Sequence, residues 1–175
     1  GRIVAMDMGF KKTSETIAIS FAVDELIPNT FTQDEIALQL DILNNEIFVV
    51  LACDLDLVNP DAVAGVNTAT RGGITTTAVL AMPNLSQTNC ITTAREAIQA
   101  GGFVDGGVAF TRAAESTYTG NVDYVALIAT NNFFVQVGGV NNLNPKGVTG
   151  RVWGYRAVAD SSTYAALVQS EVLSA

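Results

Sequence analysis

The chain has 175 residues, 49 % of them hydrophobic and only 15 % charged, with a net charge of −8 and no histidine. That length buries a full core in one domain spanning residues 1–175, without help from a disulfide or a metal. The missing histidine excludes Ser-His-Asp and Cys-His catalysis and every His-bearing zinc site. A mean hydropathy of +0.32 is too high for disorder and leaves apolar surface for another subunit.

Charge is uneven along the chain. Residues 1–61 hold eleven acids against three bases, Arg2, Lys11 and Lys12, while residues 62–175 hold six of each. Phosphate-backbone binding needs clustered Lys and Arg, and Lys11-Lys12 is the one basic pair, which reads as a solvated loop before a strand. No direct nucleic-acid contact is expected. No stretch reaches the roughly 18 apolar residues of a membrane span. The first residues lack a secretory apolar region, and Ala5 stands where the myristoylation pattern wants Ser or Thr.

In chain order the β-type runs are Thr16 to Val23, Glu35 to Leu43, Ile47 to Leu57, Ile74 to Met82, Val122 to Ala129, Phe133 to Val140 and Val148 to Val158. Ile36, Leu38, Leu40 and Ile42 alternate with smaller or polar residues, and Asn44-Asn45 separates them from the next run. This predicts a β-hairpin, preferred over the helix that Thr32 and Glu35 would cap. Asn59 through Arg71-Gly72-Gly73 reads as an exposed loop. Thr93 to Gln99, with a Thr93/Glu96 capping box and the Gly101-Gly102 stop, predicts a short connecting helix. Val108 to Arg112 suggests one more strand. Ser161 to Leu173 predicts a C-terminal helix whose apolar face is Tyr164, Leu167, Val168 and Val172, packed on the sandwich or on a neighbour. The fold class is all-β, a two-sheet β-sandwich of jelly-roll type with these two helices.

Few residues suggest chemistry. Cys53 and Cys90 lie in apolar runs without CxxC spacing and read as buried thiols, or as a bridge if their strands are neighbours. Asp54 and Asp56, at i and i+2, share a strand face and form the one carboxylate pair a glycosidase-type site could use. Asp54, Asp56, Asn59 and Asp61 place four hard oxygen ligands within eight residues, a composition suited to Ca²⁺ but without EF-hand spacing; the alternative is a solvated loop flank. Gly101-Gly102, Gly106-Gly107 and Gly138-Gly139 lack P-loop spacing. Arg151, Trp153 and Tyr155 alternate onto one face, as core, subunit contact or a cation–π site with Arg156.

On Phe31 through Val50, on Ala129 to Val137, and on Gly150-Arg151-Val152-Trp153-Gly154-Tyr155-Arg156 with the following helix, the chain resembles proteins of marine plankton and their viruses. Its overall make-up is similar to single jelly-roll viral capsid proteins, without their basic N-terminal arm. The resemblance implies a non-enzymatic coat subunit located in the virion. It would associate with itself into a homo-oligomeric shell and with other structural proteins, needing no cofactor. The alternative is a carbohydrate- or ligand-binding sandwich, possible Ca²⁺ dependence included.

Overall fold

The computed structural model describes residues 9–100, 110–115 and 124–174. Ten strands form two antiparallel sheets: β1 Phe10–Lys12, β2 Ile17–Asp24, β3 Thr32–Ala37, β4 Glu46–Leu57, β5 Thr68–Thr75, β6 Cys90–Gln99, β7 Phe110–Glu115, β8 Ala126–Ile128, β9 Asn132–Val140 and β10 Gly147–Ala159. Helix α1, Ser161–Ser174, follows. In sheet A, β10 lies between β4 and the successive strands β1 and β2, with β8 outside β4; sheet B runs β3-β9-β5-β6-β7. The pairing is nested: β2 with β10, β3 with β9, β4 with β8, β5 with β6. A long antiparallel ribbon folded over on itself gives this order, which is the jelly-roll form of the sandwich.

The core lies between the sheets, where Phe48, Ile74, Phe133, Val135 and Val152 are fully or almost fully buried. Phe21 and Phe133 meet edge to face with centroids 6.1 Å apart. β4 accounts for its own sequence through a register shift opposite Trp153/Gly154. Before the shift, Phe48 and Val50 face the core while Ile47, Val49 and Leu51 face outward under α1; after it, Cys53, Leu55 and Leu57 face inward. One extra residue reverses the alternation. Hence Ile47 to Leu51 is apolar on both faces, and Asp54 and Asp56 alternate out to solvent.

Helix α1 is capped by Asp160, whose Oδ1 accepts the Thr163 N–H at 2.7 Å. Tyr164, Leu167 and Val168 pack on Ile47, Val49 and Ala157 of the outer face of sheet A. The helix therefore docks on its own subunit; the side chain of Val172 lies outside the described residues.

Several expectations are corrected. The Glu35–Leu43/Ile47–Leu57 hairpin does not form. β3 pairs with β9 in sheet B, whereas β4 pairs with β10 and β8 in sheet A. Leu38 and Leu40 are buried where the chain crosses between sheets, Gln39 takes φ 57°, and Ile42–Asn44 is a 3₁₀ turn. Burial of Leu38 and Leu40 on either side of the left-handed Gln39 reflects a kinked crossing, not a partner strand. The Thr93–Gln99 helix is strand β6, paired on both sides by β5 and β7, so a full set of ladder bonds outweighs the local capping signal. Gly101-Gly102 and Gly106-Gly107 lie outside the described residues; Val108 to Arg112 overlaps β7.

The supposed loop from Asn59 ends at Asn67, because Thr68 to Gly73 belong to the middle strand β5, and the run to Met82 stops at Thr75. A Cβ at Gly72 would come within 2.9 Å of Leu57 Cδ2, and one at Gly73 within 2.7 Å of Pro83 Cγ. The glycines mark close approach from both sides of the sheet. Residues 76–89 form a strap, fixed to sheet B where Gln33 exchanges hydrogen bonds with the Val79 backbone at 3.0 and 3.2 Å.

Candidate functional site

Three polar features stand out on this scaffold. The first is a shelf on the outer face of sheet A. Strand register sets three rungs side by side: Ala18–Trp153–Ala52, Ser20–Arg151–Asp54 and Ala22–Thr149–Asp56. Small alanines flank the indole, and the Arg151 guanidinium lies 5.8 Å from its centroid while Nε donates to Ser20 Oγ at 3.0 Å. Asp54 and Asp56 stand exposed beside it, and the groove has a volume of about 340 Å³. Arg151, Trp153 and Tyr155 thus share a face as expected. Tyr155 serves the helix-covered end, where Lys12 Nζ sits 5.0 Å from its ring. Arg156 leaves this group, donating to the Leu38 carbonyl at 2.6 Å and lying 3.8 Å from Glu46.

The second feature is a polar knot that ties the loops at one end of the sandwich. The buried Glu25 carboxylate accepts N–H bonds from Thr30 and Lys146 at 2.8 Å and from Gly139 at 3.0 Å. Asn29 and Asn142 bond each other reciprocally at 2.8 and 3.0 Å, and Asn142 also holds the Ala69 carbonyl and the Asp61 N–H. Asn29 and Asn141 occupy left-handed backbone at φ 62° and 57°, a conformation Asn tolerates. Asp61 belongs here: Oδ1 pairs with Lys146 Nζ at 2.7 Å, and Oδ2 accepts from Leu143 and Asn144 backbone at 2.8 and 2.9 Å. The Lys146 hydrogen bond, aided by these two N–H donors, lowers the Asp61 pKa to about 2.

The four residues read as a Ca²⁺ set are therefore divided. Asp54 and Asp56 share the shelf, Asn59 is exposed just beyond β4, and Asp61 is turned to Lys146. Among the described residues no three Cys, Asp or Glu side chains gather closely enough to share a cation. Sequence reading missed Glu25, Asn29, Asn142 and Lys146; the signal available was Lys146, the sole lysine beyond Lys12, set in an Asn-rich turn.

The third feature is a basic groove on sheet B. Arg71 and Arg95 are direct cross-strand partners, both exposed, beside a cavity of about 420 Å³ bounded by Met82, Asn84, Leu85 and Thr93. Cys53 and Cys90 are thiols in different sheets, without a disulfide. Burial pushes Cys53 up to about 12 and also raises Cys90, so neither is a ready nucleophile at neutral pH.

No helix among the described residues is long and apolar enough to cross a membrane. No family model and no curated protein matches the chain, so the likeness to proteins of marine plankton and their viruses gains no support from sequence. Among solved structures the chain is similar to one from Desmodium yellow mottle tymovirus, at 9 % identity and a TM-score of 0.29, covering 85 % of this chain and 91 % of that one.

Proposed function

We propose that this chain is a structural subunit of a symmetric assembly, with a virus coat as the leading case and the virion as its location. The observation that carries the reading is a set of large aliphatic side chains held out on loops tied together by hydrogen bonds. Leu26 is 91 % exposed, Ile27 66 % and Leu143 70 %. The knot brackets them: Glu25 and Asn29, on either side of Leu26 and Ile27, bond across the end loops, and the Leu143 N–H is bound by Asp61. Apolar groups presented on a pre-ordered frame lose little entropy on association, which is what a repeated protein contact needs. The reading assigns the chain no catalytic step and no resident cofactor. Its partners are further copies and other structural proteins, without direct genome contact.

Sedimentation velocity and native mass measurement test it. Species larger than a dimer are expected, with each contact burying more than roughly 1,000 Å². Leu26→Ser with Leu143→Ser should shift them towards monomer. A strictly monomeric chain at high concentration across salt and pH refutes the proposal.

A second reading, a carbohydrate-binding sandwich, is favoured by the shelf, where an indole adjoins two carboxylates and hydroxyl side chains. Saccharide binding lost on Trp153→Ala, in a chain that remains monomeric, would select it.

A further inference from the structure

We infer that the two outer faces of the sandwich are complementary halves of one head-to-tail contact, in which Asp54 and Asp56 of one copy receive Arg71 and Arg95 of the next. The inference rests on the assembly reading and specifies one of its interfaces.

Arg71 and Arg95 face each other on one rung of β5 and β6. Like charges directly opposite on a sheet repel, and a guanidinium pair is stabilised when carboxylates bridge it. The ion pairs among the described residues are Lys146–Asp61 and Arg156–Glu46, and neither arginine belongs to one of them. Both are exposed in a chain whose net charge is −8.

The acids form the converse. The register shift in β4 turns Asp54 and Asp56 out together, and Arg151, the cross-strand partner of Asp54, is drawn away to Ser20 and Trp153. Neither aspartate belongs to an ion pair among the described residues. Asp54 and Asp56 thus form an exposed acidic pair and Arg71 and Arg95 an exposed basic pair, with Arg151 beside the acids but held by Ser20 and Trp153.

Spacing also agrees. Residues i and i+2 of a strand stand about 6.5–7 Å apart, whereas the arginines are one inter-strand step apart, about 5 Å. The long, forked Arg side chains span the difference and accept bidentate geometry. The acidic pair runs along its strand and the basic pair runs across its strands. Matching them sets the sheets of adjacent copies nearly perpendicular, one of the two ways sheets stack. Because the patches differ, the contact is heterologous, and repetition closes a ring or extends a filament.

Wild-type chain and two variants, Arg71→Glu/Arg95→Glu and Asp54→Arg/Asp56→Arg, are compared by sedimentation velocity, with circular dichroism to confirm the fold. Each variant alone should lose assembly, its apparent Kd rising about 100-fold or more, as when one side of a charged interface is inverted. An equimolar mixture should recover it, since every contact then pairs opposite charges, and so should the variant carrying all four changes. Arg71→Gln/Arg95→Gln serves if reversal disturbs folding and should weaken assembly in the same direction. Wild-type chain that assembles while the reversed variants assemble equally well overturns this contact alone, as does loss without recovery in the mixture. Monomeric wild-type chain overturns the assembly reading and this contact with it. Inorganic phosphate binding that depends on Arg71 and Arg95, with assembly unchanged, overturns the contact in favour of an oxyanion site.

Discussion

Replacing Glu25 by Gln changes one oxygen to an NH₂ group with almost no change in volume, and the knot indicates what that costs. Oε2 accepts two backbone N–H groups, from Thr30 and Gly139, and Oε1 accepts a third from Lys146. Glu25 is 4 % exposed, so water cannot readily take over. With the amide oxygen in the two-bond position, one charge-assisted bond is lost and the Lys146 N–H meets a donor. A hydrogen bond to a charged group contributes about 1.5–3 kcal/mol and an unsatisfied buried donor costs about 1–3 kcal/mol, so the net loss is set at about 2–4 kcal/mol. For a domain of this size that lowers Tm by about 5–15 °C. Urea unfolding followed by circular dichroism measures the loss, with Glu15→Gln as an exposed control expected to stay within about 0.5 kcal/mol. Amide exchange should accelerate at Thr30, Gly139 and Lys146 while the middle of β10 stays protected. A loss below about 1 kcal/mol, or no faster exchange at those three amides, would refute the claim that this carboxylate orders the end loops.

Asp61 carries a pH dependence of definite sign. Its folded pKa of about 2 lies below the unfolded value of about 3.9, so its contribution is present above pH 4 and disappears as pH falls towards 2. The stability difference between wild type and Asp61→Asn should shrink across that window in pH-dependent urea titrations. Truncation after Ala159 exposes the outer face at Ile47, Val49 and Ala157, and should destabilise the fold itself rather than only assembly; near-native Tm in the truncated chain would contradict the docking of α1. Calcium held by Asp54, Asp56, Asn59 and Asp61 would have to displace Lys146 and would raise Tm on addition; equal transitions in calcium and chelator would leave Asp61 with Lys146. The free subunit should show no DNA or RNA binding at physiological salt, and salt-dependent micromolar binding in a filter assay would refute the charge argument.

Strand-bounded apolar runs showed the class of fold, and Phe133–Val140, Val148–Val158 and the C-terminal helix fall close to where periodicity puts them. The failures share a cause. Leu38 and Leu40 alternate like a hairpin arm because the crossing between sheets, kinked at left-handed Gln39, buries both leucines and leaves Gln39 out. Gly72-Gly73 looks like a loop because sequence shows the missing side chain but not the Leu57 and Pro83 atoms that require it. Thr93 and Glu96 match a capping box locally, yet β5 and β7 offer pairing that only the assembled sheet supplies. The acids of the shelf were legible as an i, i+2 pair. Their separation from Asp61 was not, because the Lys146 partner lies 85 residues along the chain.

Nested pairing also sets how far apart in sequence the partners in each sheet lie. β10 occupies the middle of sheet A, between β2 and β4, although it comes after every other strand among the described residues. Until it arrives, β2 and β4 have no common neighbour and Asp54, Leu55 and Asp56 have no ladder on that side. β5 with β6 and β6 with β7 pair strands that follow one another along the chain, so sheet B has local starting points that sheet A lacks. Closing sheet A means joining segments from opposite parts of the chain, the kind of contact that slows folding most. A nascent chain stopped short of Gly147 would leave β1 and β2 without their partner and β4 open along one edge, and its hazard is mispairing with another nascent copy.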